Sequence, residues 1–218
     1  CGTGGVPVAS RVYRATNADA TSVGALNWKS YDPFLDGVNL GPATYLTEPR
    51  MGRTSLAIAP SNEDVMYAVA ADNQNDALWS VYYSSDGGAS WETRAPVTSL
   101  GRENLLLLTN VPFAWSCPGF GAPSYHSQGW YDNVVAVDPL DSQKVWVGGI
   151  DLFRSDDGGH NFGLASFWWV DPSQSAYAHA DQHAIVFHPA YDGTTNKQVF
   201  FGNDGGIFKS ITPDGVVA

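Results

Sequence analysis

The sequence is poor in positive charge. It has 11 Lys and Arg residues against 22 Asp and Glu, which gives a formal net charge of -11. Proteins that bind nucleic acid need clusters of Lys and Arg to neutralise phosphates. Only four lysines occur, and they are scattered. The composition therefore argues against nucleic acid, and we expect no nucleic-acid partner.

Long apolar runs and helical periodicity are also missing. No stretch approaches the ~20 continuous apolar residues of a membrane span, so we expect none. Eighteen of the acidic residues are Asp and only four are Glu, and the chain has 23 Gly and 13 Pro. Aspartate, glycine and proline favour tight turns, and aromatic residues (13%) favour strands. These features predict short strands joined by turns.

Cysteine is scarce. Cys1 and Cys117 are the only two, and one disulfide or two unpaired thiols are both open. A chain that begins with Cys suggests either a removed signal segment or a fragment. Cys1 followed by Gly-Thr-Gly-Gly also suits a bacterial lipoprotein, whose first residue is a lipidated cysteine. We expect a secreted, extracellular or cell-surface protein.

A repeated unit runs along the chain. Each copy contains a strand, a turn marked by Pro, two further strands and a Gly-rich turn before a last strand. This pattern predicts an all-β fold of four-stranded antiparallel sheets. The predicted units are a worn copy at 10–31, full copies at 50–97, 131–165 and 184–218, and inserted loops at 98–130 and 166–183.

The Gly-rich turn has the form Ser-x-Asp-Gly-Gly-x-Ser-Trp, as in 84–91. Its Asp can accept N–H groups of its own turn, its glycines supply positive φ, and its aromatic residue can pack the hairpin into the sheet. A calcium ion on the solvent side is the alternative role. The residues assigned to the structural role are Asp86, Gly87, Gly88, Trp91, Asp157, Gly158, Gly159, Phe162 and Asp214.

This turn resembles the BNR/Asp-box repeat of sialidases, sortilin-type receptors and xyloglucan-active glycoside hydrolases. The resemblance implies β-propeller blades in which the Asp-box is a structural hairpin away from the active centre. Propellers close with about 4–8 blades, and an open stack leaves unpaired edges that proteins avoid. We therefore expect an incomplete propeller, either a fragment or part of a larger assembly completed by missing blades or further chains.

Three more segments resemble a group of secreted bacterial Asp-box proteins described as glycosyl-hydrolase-like. They are 128–132 (Gln-Gly-Trp-Tyr-Asp), 179–183 (His-Ala-Asp-Gln-His) and 202–206 (Gly-Asn-Asp-Gly-Gly). This resemblance covers about 50–215. It indicates a family without indicating a reaction.

The segment 177–183 raises three alternatives. If it is extended, alternation places His179, Asp181 and His183 on one face. Such a set could hold a transition metal; calcium at the Asp-boxes or another divalent metal here is thus a possible cofactor, although the sequence establishes none. It could serve acid–base chemistry, or it could only attach a loop to the next strand.

Loop carboxylates and aromatic rings supply the candidate site. A glycoside hydrolase needs paired carboxylates, and the catalytic candidates are Asp181, Asp204 and Asp132. Exposed rings can stack on the apolar faces of sugars. The residues predicted to bind a ligand are Trp130, Tyr131, Trp168, Trp169, Tyr177, His179 and His183.

Three functions follow from these features. The first is recognition of a carbohydrate or protein ligand, which requires only loops and aromatic residues. The alternative is a glycoside hydrolase that acts through loop aspartates. The xyloglucan-active enzymes that the chain resembles use two aspartates from two facing propellers, and one partial propeller lacks the second. A third role is a structural subunit of an extracellular assembly. A sialidase is disfavoured because its arginine cluster has no counterpart here.

Overall fold

The computed structural model describes residues 12–15, 28–31, 50–96, 107–109 and 126–215. This part of the chain is built from β-strands and one short 3-10 turn, Pro213–Gly215. The all-β prediction is confirmed. The described residues contain no helix long and apolar enough to cross a membrane.

Three antiparallel sheets follow one another along the chain. The first sheet comprises β3 (Met51–Ala59), β4 (Asn62–Asp72), β5 (Leu78–Ser84) and β6 (Glu92–Pro96). The second comprises β7 (Val134–Val137), β8 (Val145–Gly148), β9 (Leu152–Ser155) and β10 (Gly163–Leu164). The third comprises β11 (Gln182–Phe187), β12 (Val199–Asn203) and β13 (Gly206–Ser210). In each sheet, strands adjacent in sequence pair with each other.

A separate pair of strands precedes these sheets. The strand β1 (Val12–Ala15) pairs antiparallel with β2 (Trp28–Tyr31), within the segment predicted as a worn copy. Most of the predicted loop 98–130 and both cysteines lie outside the described residues. Within that loop, Thr109 forms an isolated bridge with Ser127.

The sheets stack face to face like propeller blades. The first strands of successive sheets contact each other, β3 with β7 and β7 with β11. Between the first and second sheets lies a core that includes Tyr67, Val81, Val147 and Phe153. Such β-branched and aromatic residues fit a pleated surface, and full burial of each side chain contributes about 1.5–3 kcal/mol.

A second core joins the second and third sheets. Trp146 and Phe201 pack with ring centroids 5.4 Å apart, and Leu152, Ile185 and Val199 are buried around them. The second sheet is therefore covered on both faces, which explains the continuous burial of its middle strand β8. These stacked antiparallel sheets are β-propeller blades.

The third unit departs from its prediction in two places. Its first strand begins at Gln182, so the preceding loop is shorter than 166–183. The predicted Asp-box around Asp214 instead contains the 3-10 turn, and Asp214 Oδ2 accepts a hydrogen bond from Lys197 at 2.7 Å. Asp214 thus binds a lysine from the connection between β11 and β12, and this contact differs from that of an Asp-box aspartate, which holds its own turn.

Candidate functional site

The two complete Asp-boxes are stabilised by their own side chains. Asp86 Oδ1 accepts the backbone N–H of Ser90 at 2.8 Å and the hydroxyl of Ser84 at 2.8 Å. In the second sheet, Asp157 Oδ1 accepts the backbone N–H of Asn161 at 2.9 Å and the hydroxyl of Ser155 at 2.7 Å. Such charge-assisted bonds are strong. Each carboxylate therefore holds its own turn.

The neighbouring residues complete these hairpins. Gly87, Gly88, Gly158 and Gly159 all have positive φ, between 66° and 85°. The aromatic residues that close the hairpins, Trp91 and Phe162, are buried. This geometry is that of a structural turn, and it lies at one end of each sheet.

A different group of aspartates gathers at the opposite end. Asp151 and Asp157 lie before and after β9, so they are at opposite ends of that strand. Asp151 is electrostatically coupled to Asp181, and Asp181 in turn to Asp132 and Asp204. The turns before β7, before β9, before β11 and between β12 and β13 bring them together. We call Asp132, Asp151, Asp181 and Asp204 the carboxyl cluster.

The turn that carries Trp130 and Asp132 is held by the first sheet. Arg53 of β3 donates to the backbone oxygens of Trp130 and Tyr131, and to that of Asn133 at 3.3 Å. Ser55 Oγ donates to the same Asn133 oxygen at 2.6 Å. The position of Asp132 therefore depends on the docking of the first sheet against the second.

Asp181 occupies a turn between the second and third sheets. Its φ is 65°, which is uncommon for a residue other than glycine. Its N–H donates to the Ile150 oxygen at 3.0 Å, and the next N–H, of Gln182, donates to the Gly149 oxygen at 2.8 Å. Because Asp181 lies in a left-handed turn and β11 starts after it, the predicted strand alternation across 179–183 is wrong.

Buried amides support this turn. Gln182 has no exposed surface. Its Nε2 donates to the His179 oxygen at 2.5 Å, and its Oε1 accepts from Asn203 at 3.3 Å. The turn before β11 is thereby joined to the turn between β12 and β13.

Asp204 is exposed and receives two side-chain donors. His183 Nε2 donates to Oδ1 at 2.7 Å, since an ionised carboxylate can only accept. The Tyr131 hydroxyl donates to Oδ1 and Oδ2 at 3.0 and 3.2 Å. The hydrogen bonds from His183 and then Tyr131 hold the pKa of Asp204 below its usual range. Asp204 is thus an ionised carboxylate near neutral pH.

Asp181 and Asp132 have the opposite shift. Burial, followed by the charge of Asp204, raises the pKa of Asp181. Burial, followed by the charge of Asp181, raises the pKa of Asp132 to about 8. Gln128 Nε2 donates to Asp181 Oδ1 at 3.1 Å. The carboxyl cluster therefore combines carboxyl groups whose pKa values are raised with one, Asp204, whose pKa is lowered.

Asp151 connects the cluster to an aromatic loop. It is 2% exposed, and its Oδ1 accepts the backbone N–H of Trp168 at 3.3 Å. Burial raises the pKa of Asp151 to about 7. Trp168 is 39% exposed, and its ring meets that of Trp169 edge to face at 6.1 Å.

The most exposed aromatic ring at this end belongs to Trp130, at 61%. Its centroid is 5.4 Å from that of Tyr131, which lies 4.8 Å from the His183 ring. Tyr177 lies apart from this group, because it lines a cavity of about 540 Å³ with Phe208 between the second and third sheets. Of the predicted ligand-binding rings, Trp130 and Tyr131 contact the residues around Asp204.

The histidines do not form the metal site that strand alternation suggested. His179 Nδ1 lies 3.1 Å from the Ala180 oxygen, and its ring packs so closely on Gly205 that an added Cβ would lie 2.5 Å away. Across 50–96, 107–109 and 126–215, no group of three His, Cys, Asp and Glu side chains is placed to hold a metal ion.

Several supporting residues were not identified from the sequence. Arg53 lies more than 70 residues from the turn it holds, so no local pattern marks it. Asn133 and Gln182 adjoin predicted site residues, but their roles depend on backbone groups brought close by the fold. Only their presence inside or beside the 128–132 and 179–183 segments could have pointed to them.

Two curated relatives are similar to part of the chain. The probable oligoxyloglucan-reducing end-specific xyloglucanase of Neosartorya fischeri is 26% identical over 151 residues, which is 59% of this chain and 18% of the relative. The oligoxyloglucan-reducing end-specific xyloglucanase of Emericella nidulans is 25% identical over 152 residues, or 60% of this chain and 19% of the relative. The chain spans about a fifth of their length.

Among solved structures, the Niastella koreensis GH74 enzyme superposes with a TM-score of 0.45 at 21% identity, covering 75% of this chain and 22% of that one. No protein-family model matches the sequence. The similarity to xyloglucanases over part of the chain rests on the two curated relatives.

Proposed function

We propose that this chain is part of a glycoside hydrolase that acts on a polysaccharide through the carboxyl cluster. One observation carries the proposal: Asp181 and Asp204 are coupled, and their pKa values are shifted in opposite directions. Environments that separate the pKa values of two carboxyl groups are typical of an acid–base pair. The partial similarity to xyloglucanases supports the same class of reaction.

In this proposal Asp181 is the general acid. Its raised pKa keeps a proton available for the oxygen of the scissile glycosidic bond. Asp204 is the ionised partner, which stabilises the positive charge that develops on the sugar or activates a water molecule. His183 and Tyr131 orient Asp204 through their hydrogen bonds.

Trp130 provides the sugar-contacting surface. It is the most exposed ring beside Asp204, and Tyr131 extends it toward His183. Sugar rings present apolar C–H faces that stack on aromatic rings. A plant β-glucan such as xyloglucan is the substrate class that the curated relatives suggest, and secretion is the matching location.

Recognition without hydrolysis is the second candidate. Asp204 already accepts hydrogen bonds from two side chains, which reduces the basicity available to a substrate. A site of this kind would bind a glycan, or a protein ligand, on Trp130 and Tyr131 without cleaving it.

The test uses the full-length protein with xyloglucan and a panel of plant and bacterial polysaccharides, measuring released reducing ends and retention separately. We expect Asp181→Asn and Asp204→Asn to lower release by about 10²–10⁴-fold. Asp64→Asn is the matched control, because it removes the same charge from an exposed residue of the first sheet.

The two candidates predict different outcomes. Trp130→Ala should weaken retention in both. Retention without release, unchanged by Asp181→Asn and Asp204→Asn, would refute hydrolysis and support recognition. Release that persists in both variants would exclude these two residues as the acid–base pair.

A further inference from the structure

Asp132 cannot contact a substrate directly. Its exposed fraction is 0%, and among the described residues no other residue donates a hydrogen bond to Oδ1 or Oδ2, so that only its own backbone N–H favours the ionised form in this way. A buried carboxylate with so few donors is strongly disfavoured. The sequence-based assignment of Asp132 as a catalytic residue therefore requires a different role.

Asp132 and Asp181 are close enough for a hydrogen bond between their side chains. Two ionised carboxylates cannot form it, because neither has a proton to donate. A proton on Asp132 removes its buried charge and turns its carboxyl group into a donor toward Asp181.

We propose that Asp132 is a positioning residue that keeps its proton and donates a hydrogen bond to Asp181, stabilising the carboxylate that Asp181 becomes when it protonates the substrate. This inference rests on the proposed function. In the step, the O–H bond of Asp181 breaks and its proton moves to the glycosidic oxygen. The C–O bond to the leaving group then breaks with its electron pair on the leaving oxygen, and water adds to the sugar carbon and loses a proton. The proton on Asp132 stays in place throughout.

Some groups around Asp132 and Asp181 raise the pKa values of this pair, and others lower them. Asp132 faces Asp181, which raises its pKa, and Arg53, which lowers it. Asp181 faces Asp204, which raises its pKa, and Asp132, Gln128 and His183, which lower it. Burial is the largest influence on both carboxyl groups.

Two other groups are coupled to the pair. Asp151 is close enough to be influenced by the charge of Asp181, and Tyr131 by the charges of Asp181 and Asp132. Strongly coupled carboxyl groups titrate as a unit. Observing the Asp132 carboxyl group directly is therefore more informative than following the pH dependence of the whole protein.

The first experiment records the ¹³C resonances of labelled aspartate carboxyl groups in the full-length protein from pH 4 to 10. We expect one resonance to stay protonated up to pH about 8 and to disappear in Asp132→Asn. The control is Asp138→Asn, because Asp138 is also buried but both of its oxygens accept hydrogen bonds, from Leu140 and Tyr191. A resonance assigned to Asp132 that titrates near pH 4 would overturn the proposal.

The second experiment compares Asp132→Asn with Asp132→Leu. The Asn side chain can still donate to Asp181 but cannot ionise, so kcat should stay within about tenfold. The Leu variant cannot donate, and kcat should fall by about 10²-fold with KM unchanged. Equal losses in folded Asn and Leu variants would refute the hydrogen-bond role. If the protein hydrolyses no polysaccharide while Asp132 titrates near 8, the proposed function fails but the proton-holding pair remains.

Discussion

Aspartates at the two ends of β9 have opposite environments. Asp157 is exposed and accepts four hydrogen bonds within its own turn, and those from Asn161 lower its pKa against the opposing effect of burial. Asp151 is buried, has one backbone donor, and its pKa is raised to about 7. The aspartates of the Asp-boxes accept several hydrogen bonds and stabilise the blades, whereas Asp151 and Asp132 are buried with few donors and reduce stability. Such sites are typical of function.

The largest expected effect concerns the backbone that supports the carboxyl cluster. At Gly149 an added Cβ would lie 2.2 Å from the Leu107 oxygen, so Gly149→Ala must displace backbone and should cost about 3 kcal/mol of unfolding free energy. At Gly202 the nearest atom would be 3.4 Å away. Urea titration should show Gly202→Ala far less destabilised, and equal losses would show that the cluster end is not close-packed.

The next effect concerns the Asp-box end of the second sheet. Asp157→Ala leaves the Asn161 N–H groups and the Ser155 hydroxyl without their acceptor, and it should cost about 2 kcal/mol. The same substitution at exposed Asp64 serves as the control. Denaturant unfolding measures both. A loss no greater than that of the control would mean that the turn holds without its carboxylate.

The contribution of Asp151 to stability should fall as pH rises, whereas that of the Asp-box aspartates should fall as pH falls. The folded-state pKa of Asp151 is raised to about 7, so the folded protein is destabilised when Asp151 ionises. Its contribution to the free energy of unfolding is therefore full below the unfolded pKa near 4 and is lost as pH rises through about 7. We expect Asp151→Asn, which keeps an acceptor for Trp168, to remove on the order of 1–2 kcal/mol of that loss between pH 5 and 9. An unchanged pH profile in urea titrations would contradict the burial argument.

The smallest effect is the acid response of the Asp-box. Although burial opposes it, the hydrogen bonds from Ser90 and Ser84 lower the pKa of Asp86 to about 2. The contribution of Asp86 to the free energy of unfolding is therefore present above the unfolded pKa near 4 and is lost as pH falls through about 2. Asp86→Asn should weaken that dependence slightly in melting curves between pH 5 and 2. A variant with the wild-type acid profile would argue against it.

The difference between the two ends also explains what could be predicted from the sequence. The Asp-box was visible because its contacts join residues two to four positions apart, such as Ser155 with Asp157. The cluster was visible only as separate loop aspartates. The positive φ of Asp181 and the burial of Asp132 come from packing between sheets, so the strand alternation across 179–183 failed.

The hydrogen bonds from Arg53 to the turn at 130–133 affect the order of folding. These hydrogen bonds join residues 77 to 80 positions apart, whereas each Asp-box closes a loop of a few residues. Long loops cost more entropy to close and form later. We therefore expect the hairpins to gain hydrogen-exchange protection early in refolding. Trp130 and the carboxyl cluster should come together only when the first and second sheets have docked. The candidate site should therefore form only in molecules whose blades have assembled.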